Sequence, residues 1–166
     1  MKPKVLIIMG SDSDLPVVEE TAKLLGQFGI HFEMTVASAH RSPERVRKLA
    51  AEAEKRGIEV IIAAAGAAAH LAGVIASHTL LPVIGVPVSS SPLQGFDALL
   101  STVQMPPGVP VATMAVGKAG AKNAALFAAQ VLGRKDRTLV RKLASYRKRA
   151  VLDITKKAEG LTSGKK

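Results

Sequence analysis

What most constrains this chain is a repeating alternation. A short apolar run is followed by a turn of glycine or helix-capping side chains, and then by a segment with helical apolar spacing. Residues 4–9 read as a buried strand, and the turn Gly10-Ser11-Asp12-Ser13-Asp14 follows, with Pro16 suited to a first helical turn. Val18, Ala22 and Leu25 then recur at helical spacing, and Gly29 stops that helix. Residues 32–37 read as a second strand. Ser42-Pro43 opens a helix whose apolar face is Val46, Leu49, Ala50 and Ala53, closed by Gly57. A third strand over 59–65 leads to Gly66 and small residues in a helix through His78. Strands over 81–86 and 111–116 follow, then an alanine-rich helix over 119–132. Such alternation with short connections implies an α/β protein with a parallel sheet and right-handed crossovers.

The 166 residues are enough for one domain with a real core. Apolar residues make up 48% but aromatics only 3%, so the core must be alanine, valine, leucine and isoleucine, as parallel layers prefer. With no cysteine, disulfides and thiolate metal sites are excluded, and the four histidines show no metal-ligand spacing. The N-terminal apolar run is too short for a secretory signal and no run is long enough for a membrane span. The expectation is a soluble, cytoplasmic protein that does not engage a membrane.

A net charge of +10 invites a nucleic-acid reading, so its placement matters. Residues 134–166 hold 12 Lys/Arg against 3 Asp/Glu, a net of +9, whereas residues 1–133 are close to neutral at +1. That distribution argues against a nucleic-acid-binding face on the body. It divides the chain into an α/β domain over 1–133 and a basic helical extension over 134–166. In the extension Leu139, Leu143, Tyr146 and Ala150 form one stripe, which must pack on this subunit or a neighbour. The closing LTSGKK reads as disordered.

Ligands of open parallel sheets bind beyond the carboxyl ends of the strands. Three segments fall there. The turn Gly10–Asp14 offers backbone N–H groups and the hydroxyls of Ser11 and Ser13 to a phosphate. The carboxylates oppose that, and these side chains could equally all serve as helix caps. Ser38-Ala39-His40-Arg41-Ser42-Pro43 sets an arginine, suited to a phosphate or carboxylate, beside a histidine. Histidine is the side chain that can move protons both ways near neutrality. Ala65-Gly66-Ala67-Ala68-Ala69-His70-Leu71 is almost bare of side chains and would admit a flat ligand to its backbone. His70 could be a second polar group of that pocket or an internal helix contact. Ser89–Gly95 reads as a mobile rim.

The blocks MGSDSD, SAHRSPE, GAAAHL, LPVIGVPV, GFDALLSTVQMPPGVPVATMAVG and AKNAALFAAQVL, in this order, closely resemble the N5-carboxyaminoimidazole ribonucleotide mutase family of purine biosynthesis. The similarity spans roughly residues 3–133. The Arg after the histidine resembles the bacterial mutase class rather than the related carboxylase class, which typically has Lys there. The resemblance implies a three-layer, doubly wound, flavodoxin-like fold assembled as a homo-octamer. It also implies an isomerase that moves a carboxyl group from N5 to ring carbon C4 without ATP, metal, biotin or any other cofactor. By the same resemblance His40 is the catalytic residue, Ser11 and Arg41 hold the phosphate and Asp14 the ribose. Gly10, Ser13, Ser38, Ala39, Gly66, Ala67, His70 and Leu71 would complete the binding pocket. Ala64, Ala67 and Ala72 stand where the family usually has Gly, Gly and Pro, so strain is expected wherever glycine would adopt positive φ. Carboxylation of aminoimidazole ribonucleotide by free CO2, and a non-catalytic nucleotide-binding module, are the competing readings.

Overall fold

The computed structural model describes residues 2–163. Five parallel strands lie in the order β2-β1-β3-β4-β5: β1 (Val5–Met9), β2 (Phe32–Val36), β3 (Val60–Gly66), β4 (Val83–Val88) and β5 (Ala112–Thr113). That order is the flavodoxin-like one, with its switch point between β1 and β3.

The central strands are apolar on both faces because both are covered. Val5, Ile7 and Met9 of β1 point into one core, with α1 (Leu15–Phe28), α5 (Lys118–Gly133) and the start of α6 (Arg137–Ser163). Leu6 and Ile8 point into the other, with α2 (Pro43–Ala53) and α3 (Leu71–Ala76). The first core is thin and close-packed. Ala121, Ala124, Ala125, Ala128 and Ala129 of α5 are fully buried, and Thr21 of α1 donates its hydroxyl to the Ala121 carbonyl at 2.9 Å. At Gly120 any Cβ would collide with the Ala115 carbonyl, so the chain entering α5 lies directly on it.

The expected elements are present with shifted ends. The fourth strand runs two residues further than the sequence pattern suggests and contains Pro87. Gly117 donates to the Pro87 carbonyl at 2.8 Å, so the donor that proline lacks faces the β5 side, where the edge of the sheet needs none. The same missing donor curtails the fifth strand. Expected over 111–116, it pairs only at Ala112 and Thr113, with one further bond from Met114 N to Gly85 O. The third helix ends at Ala76 rather than His78. An eight-residue helix α4 (Phe96–Val103) is not announced by the sequence pattern, because Phe96, Leu100 and Val103 face outward.

The C-terminal helix starts at Arg137, after Asp136 accepts hydrogen bonds from the Thr138 and Leu139 amides at 2.7 and 3.4 Å. Leu139, Leu143 and Tyr146 pack on the core, and Tyr146 lies 5.9 Å from the Phe28 ring. Ala150, expected on the same stripe, is exposed, because the helix leaves the body after Tyr146. Residues 161–163, expected to be disordered, continue this helix; the remainder of that segment lies outside the described residues. Among the described residues no helix is long and apolar enough to cross a membrane.

Candidate active site

A cavity of about 280 Å³ opens at the switch point, above the carboxyl ends of β1, β2, β3 and β4. It is lined by the expected Gly10, Ser11, Ser13, Asp14, Ser38, Ala39, His40, Arg41, Gly66, His70 and Leu71. Four connections that are distant in sequence thus converge on one volume.

The turn after β1 is closed on itself. Ser11 caps the short 3₁₀ turn Asp12–Asp14, and the Asp14 carboxylate accepts the Ser11 amide in return at 3.1 Å, which is a capping box. Ser13 donates its hydroxyl to Ser11 Oγ at 2.9 Å, and Ser11 donates to Asp12 Oδ1 at 3.1 Å. Bonds within the turn therefore engage all four polar side chains. Asp14 is 3% exposed. Burial raises its carboxyl above the ordinary 3.8, while the amides of Ser11 and Gly10 pull it back and Asp12 pushes it further up.

In the loop after β2, Ser42 Oγ accepts the Ser38 amide at 2.9 Å and donates to the Ser38 carbonyl at 3.1 Å. Ser38 Oγ in turn accepts the Arg41 amide at 3.2 Å and Nε at 3.5 Å. Arg41 Nη2 reaches the Gly10 carbonyl at 3.4 Å. These bonds are long, so they aim the guanidinium across the first turn without consuming its donors. Pro43 then starts α2 with its φ already set.

From the residue before Arg41, His40 crosses to the β3 loop. Its Nε2 stands 2.9 Å from His70 Nδ1, with the rings edge to face and centroids 4.9 Å apart. One proton bridges that pair, so the tautomer of each ring is tied to the other. His70 is thus directed into the cavity rather than back into its helix.

Ala67 is the one expected pocket residue that does not line the cavity. It adopts φ +51°, and the loop turns there so that Gly66 and Ala68 face inward while the Ala67 methyl is exposed. Of the three alanines flagged in the sequence, only Ala67 has positive φ; Ala64 and Ala72 are ordinary buried residues. Ala65 and Ala68, from the bare third segment, and Ser90, from the expected rim, line the cavity as well. For Ser90 a signal existed: it stands two residues past the carboxyl end of the fourth strand.

Fold and cavity together define a flavodoxin-like α/β protein whose switch-point cavity holds a guanidinium and a hydrogen-bonded histidine pair, a combination suited to proton transfer on an anionic ligand. Residues 4–151 match the model of the AIR carboxylase family, and the chain belongs to that family. It is 57% identical over 160 residues to the N5-carboxyaminoimidazole ribonucleotide mutase of Pyrococcus horikoshii, covering 96% of this chain and 89% of that one. It is 52% identical over 159 residues to the phosphoribosylaminoimidazole carboxylase of Candida albicans, covering 96% of this chain but only 28% of that protein. The crystal structure of Treponema denticola PurE superposes with a TM-score of 0.86 at 30% identity, covering 96% of this chain and 98% of that one.

Proposed function

We propose that this chain is an isomerase converting N5-carboxyaminoimidazole ribonucleotide to its 4-carboxy isomer in purine biosynthesis. The observation that carries the reading is the His40–His70 pair at 2.9 Å in a cavity whose other wall holds Arg41 and Ser11. The match covers 89% of the Pyrococcus horikoshii mutase but only 28% of the much longer carboxylase relative. Free-CO2 carboxylation is therefore the weaker reading.

In this assignment Ser11 and Arg41 hold the phosphate and Asp14 accepts from the ribose hydroxyls. Charged His40 gives a proton to N5 of the carbamate. The N5–carboxyl bond breaks, its electron pair stays on nitrogen, and CO2 is released into the cavity. Ring carbon C4 attacks the CO2, forming the new carbon–carbon bond. Neutral His40 then takes the C4 proton and the ring regains aromaticity. The proton lent at the start is recovered, nothing is oxidised or reduced, and no cofactor enters. The side-chain-poor wall of Gly66 and Ala68 lets the planar ring lie close to backbone, so that recombination outruns escape of CO2.

The test is conversion of freshly made carbamate, followed by absorbance with and without bicarbonate. Bicarbonate-independent turnover is expected; a strict bicarbonate requirement would replace the mutase by a carboxylase. His40→Asn should lower kcat by about 10³-fold or more while ligand affinity stays within a few fold. Near-normal rates in that variant would remove His40 from the chemistry.

The reading extends to a cytoplasmic homo-octamer. Support comes from apolar side chains left in solvent on α4 (Phe96, Leu100, Val103) and on the far half of α6 (Val151, Ile154, Leu161). Light scattering should give an octamer, and removing the residues after Arg149 should lower its order. An unchanged octamer after truncation would exclude the helix end from assembly.

A further inference from the structure

Three serines of the cavity, Ser13, Ser38 and Ser90, have no part in the assignment above, and among them Ser90 alone makes no hydrogen bond to the described residues. Ser90 lies two residues beyond β4, where Val88 pairs with Gly66 in the sheet register. A Cβ at Gly66 would collide with Ser90 Oγ and stand 2.8 Å from Ser90 Cβ. The side chain missing at position 66 is therefore the space that the Ser90 hydroxyl occupies, and this hydroxyl belongs to the cavity wall.

The three serines of this loop divide their tasks. Ser91 shapes the loop, its Oγ accepting from the Leu93 amide and its carbonyl from the Gln94 amide, both at 3.1 Å. Ser89 packs beneath Gly95, where a Cβ would stand 3.2 Å from the Ser89 Cα. Among the described residues the Ser90 hydroxyl makes no hydrogen bond to the protein, while those of Ser11, Ser13 and Ser42 donate and that of Ser38 accepts from Arg41. It is an exposed donor on the cavity wall, open toward a ligand.

Its position indicates which part of a ligand it meets. Across the sheet the order is β2, β1, β3, β4, so Arg41 and the first turn stand on one side of the cavity and Ser90 on the other. A ribonucleotide with its phosphate at Ser11 and Arg41 carries its base over Gly66 toward β4. The neighbouring Ala65 and Ala68 have no side-chain donor for the carboxyl group on that base.

We infer that Ser90 binds the migrating carboxyl group and keeps it in the cavity during transfer, a role that rests on the mutase reading above. Both the carbamate and the product carboxylate are anions. A serine hydroxyl can rotate to donate to each in turn while retaining its own proton. Ser90 then decides whether CO2 recombines or is lost, and it plays no part in proton transfer.

Wild type, Ser90→Ala and Ser90→Cys would be compared on the carbamate in buffer containing 13C-bicarbonate. The readouts are kcat, KM, released aminoimidazole ribonucleotide and 13C in the product. For Ser90→Ala, kcat should fall about ten-fold with KM within about three-fold, because the phosphate contacts are untouched. Released aminoimidazole ribonucleotide and 13C incorporation should both rise several-fold. Ser90→Cys, which keeps the shape with a weak donor, should fall between. Wild-type retention in Ser90→Ala overturns the inference whatever its rate, as does wild-type behaviour of Ser90→Cys. Failure of the wild-type chain to convert the carbamate overturns the mutase reading instead, so the two failures are distinct.

Discussion

The turn after β1 and the loop after β3 lie side by side, with the Gly10 amide donating to the Ala64 carbonyl at 2.9 Å, yet they are built on opposite plans. The first is dense with polar side chains that satisfy one another, so its shape is set before any ligand arrives. The second has almost no side chains, and its shape is set by backbone, including one alanine held at φ +51°. A phosphate and sugar need aimed donors and acceptors. A flat ring and a small apolar gas need an unobstructed surface. Each wall of the cavity matches one half of the proposed substrate.

If that division is right, the bare wall should be the less tolerant of the two. Gly66→Ala drives a methyl into Ser90 and to 3.0 Å from the Val88 carbonyl, and should lower kcat/KM by about 100-fold together with the melting temperature. A fully active Gly66→Ala enzyme would break the comparison.

On the polar wall Asp14→Asn should cost about ten-fold in kcat/KM through the lost charged acceptor for ribose. Its stability should move the other way. Burial raises the Asp14 carboxyl above 3.8, so the folded chain holds that proton more firmly than the unfolded one. The stability this provides is present below 3.8 and is lost as pH rises through the raised value. At neutral pH the ionised carboxylate is a burden that asparagine removes. The melting-temperature gain of Asp14→Asn should therefore be present at pH 7 and fade in acid; a gain independent of pH would refute the burial argument.

The smallest effect belongs to the strained position. Ala67→Gly should stabilise the fold by about 0.5–1 kcal/mol, the relief of positive φ being partly offset by the freer unfolded chain. Denaturant melts at fixed protein concentration would show it.

Much of the fold and most of the cavity were legible in the sequence, for different reasons. Buried parallel strands announce themselves because both faces are apolar, and the first β-to-α turn because capping needs Ser and Asp at fixed offsets. Helix α4 was hidden because Phe96, Leu100 and Val103 face outward, so its apolar residues do not mark the buried side. The ends of β4 and β5 were misplaced because the effect of Pro87 depends on which neighbour its missing donor faces. His40 and Arg41 could be singled out by their place at a strand end. The contact between His40 and His70 could not, since two loops separated by helix α2 and strand β3 must be folded before it exists. The family resemblance places Ala67 where glycine is usual, but only the folded loop decides that its methyl points away from the cavity.

The alanine layer between α1, α5 and the sheet bears on how this chain can change over time. Alanine surrenders no rotamer freedom on burial, so the layer forms at little entropic cost. It also leaves little room: the Ala115 carbonyl is pressed on Gly120, and Ala121, Ala124, Ala125, Ala128 and Ala129 are fully enclosed, so an added methyl has to displace its neighbours. Sequence drift should then be nearly frozen along α5 and free on its solvent face, making that helix a sharper record of common descent than the polar rim of the cavity.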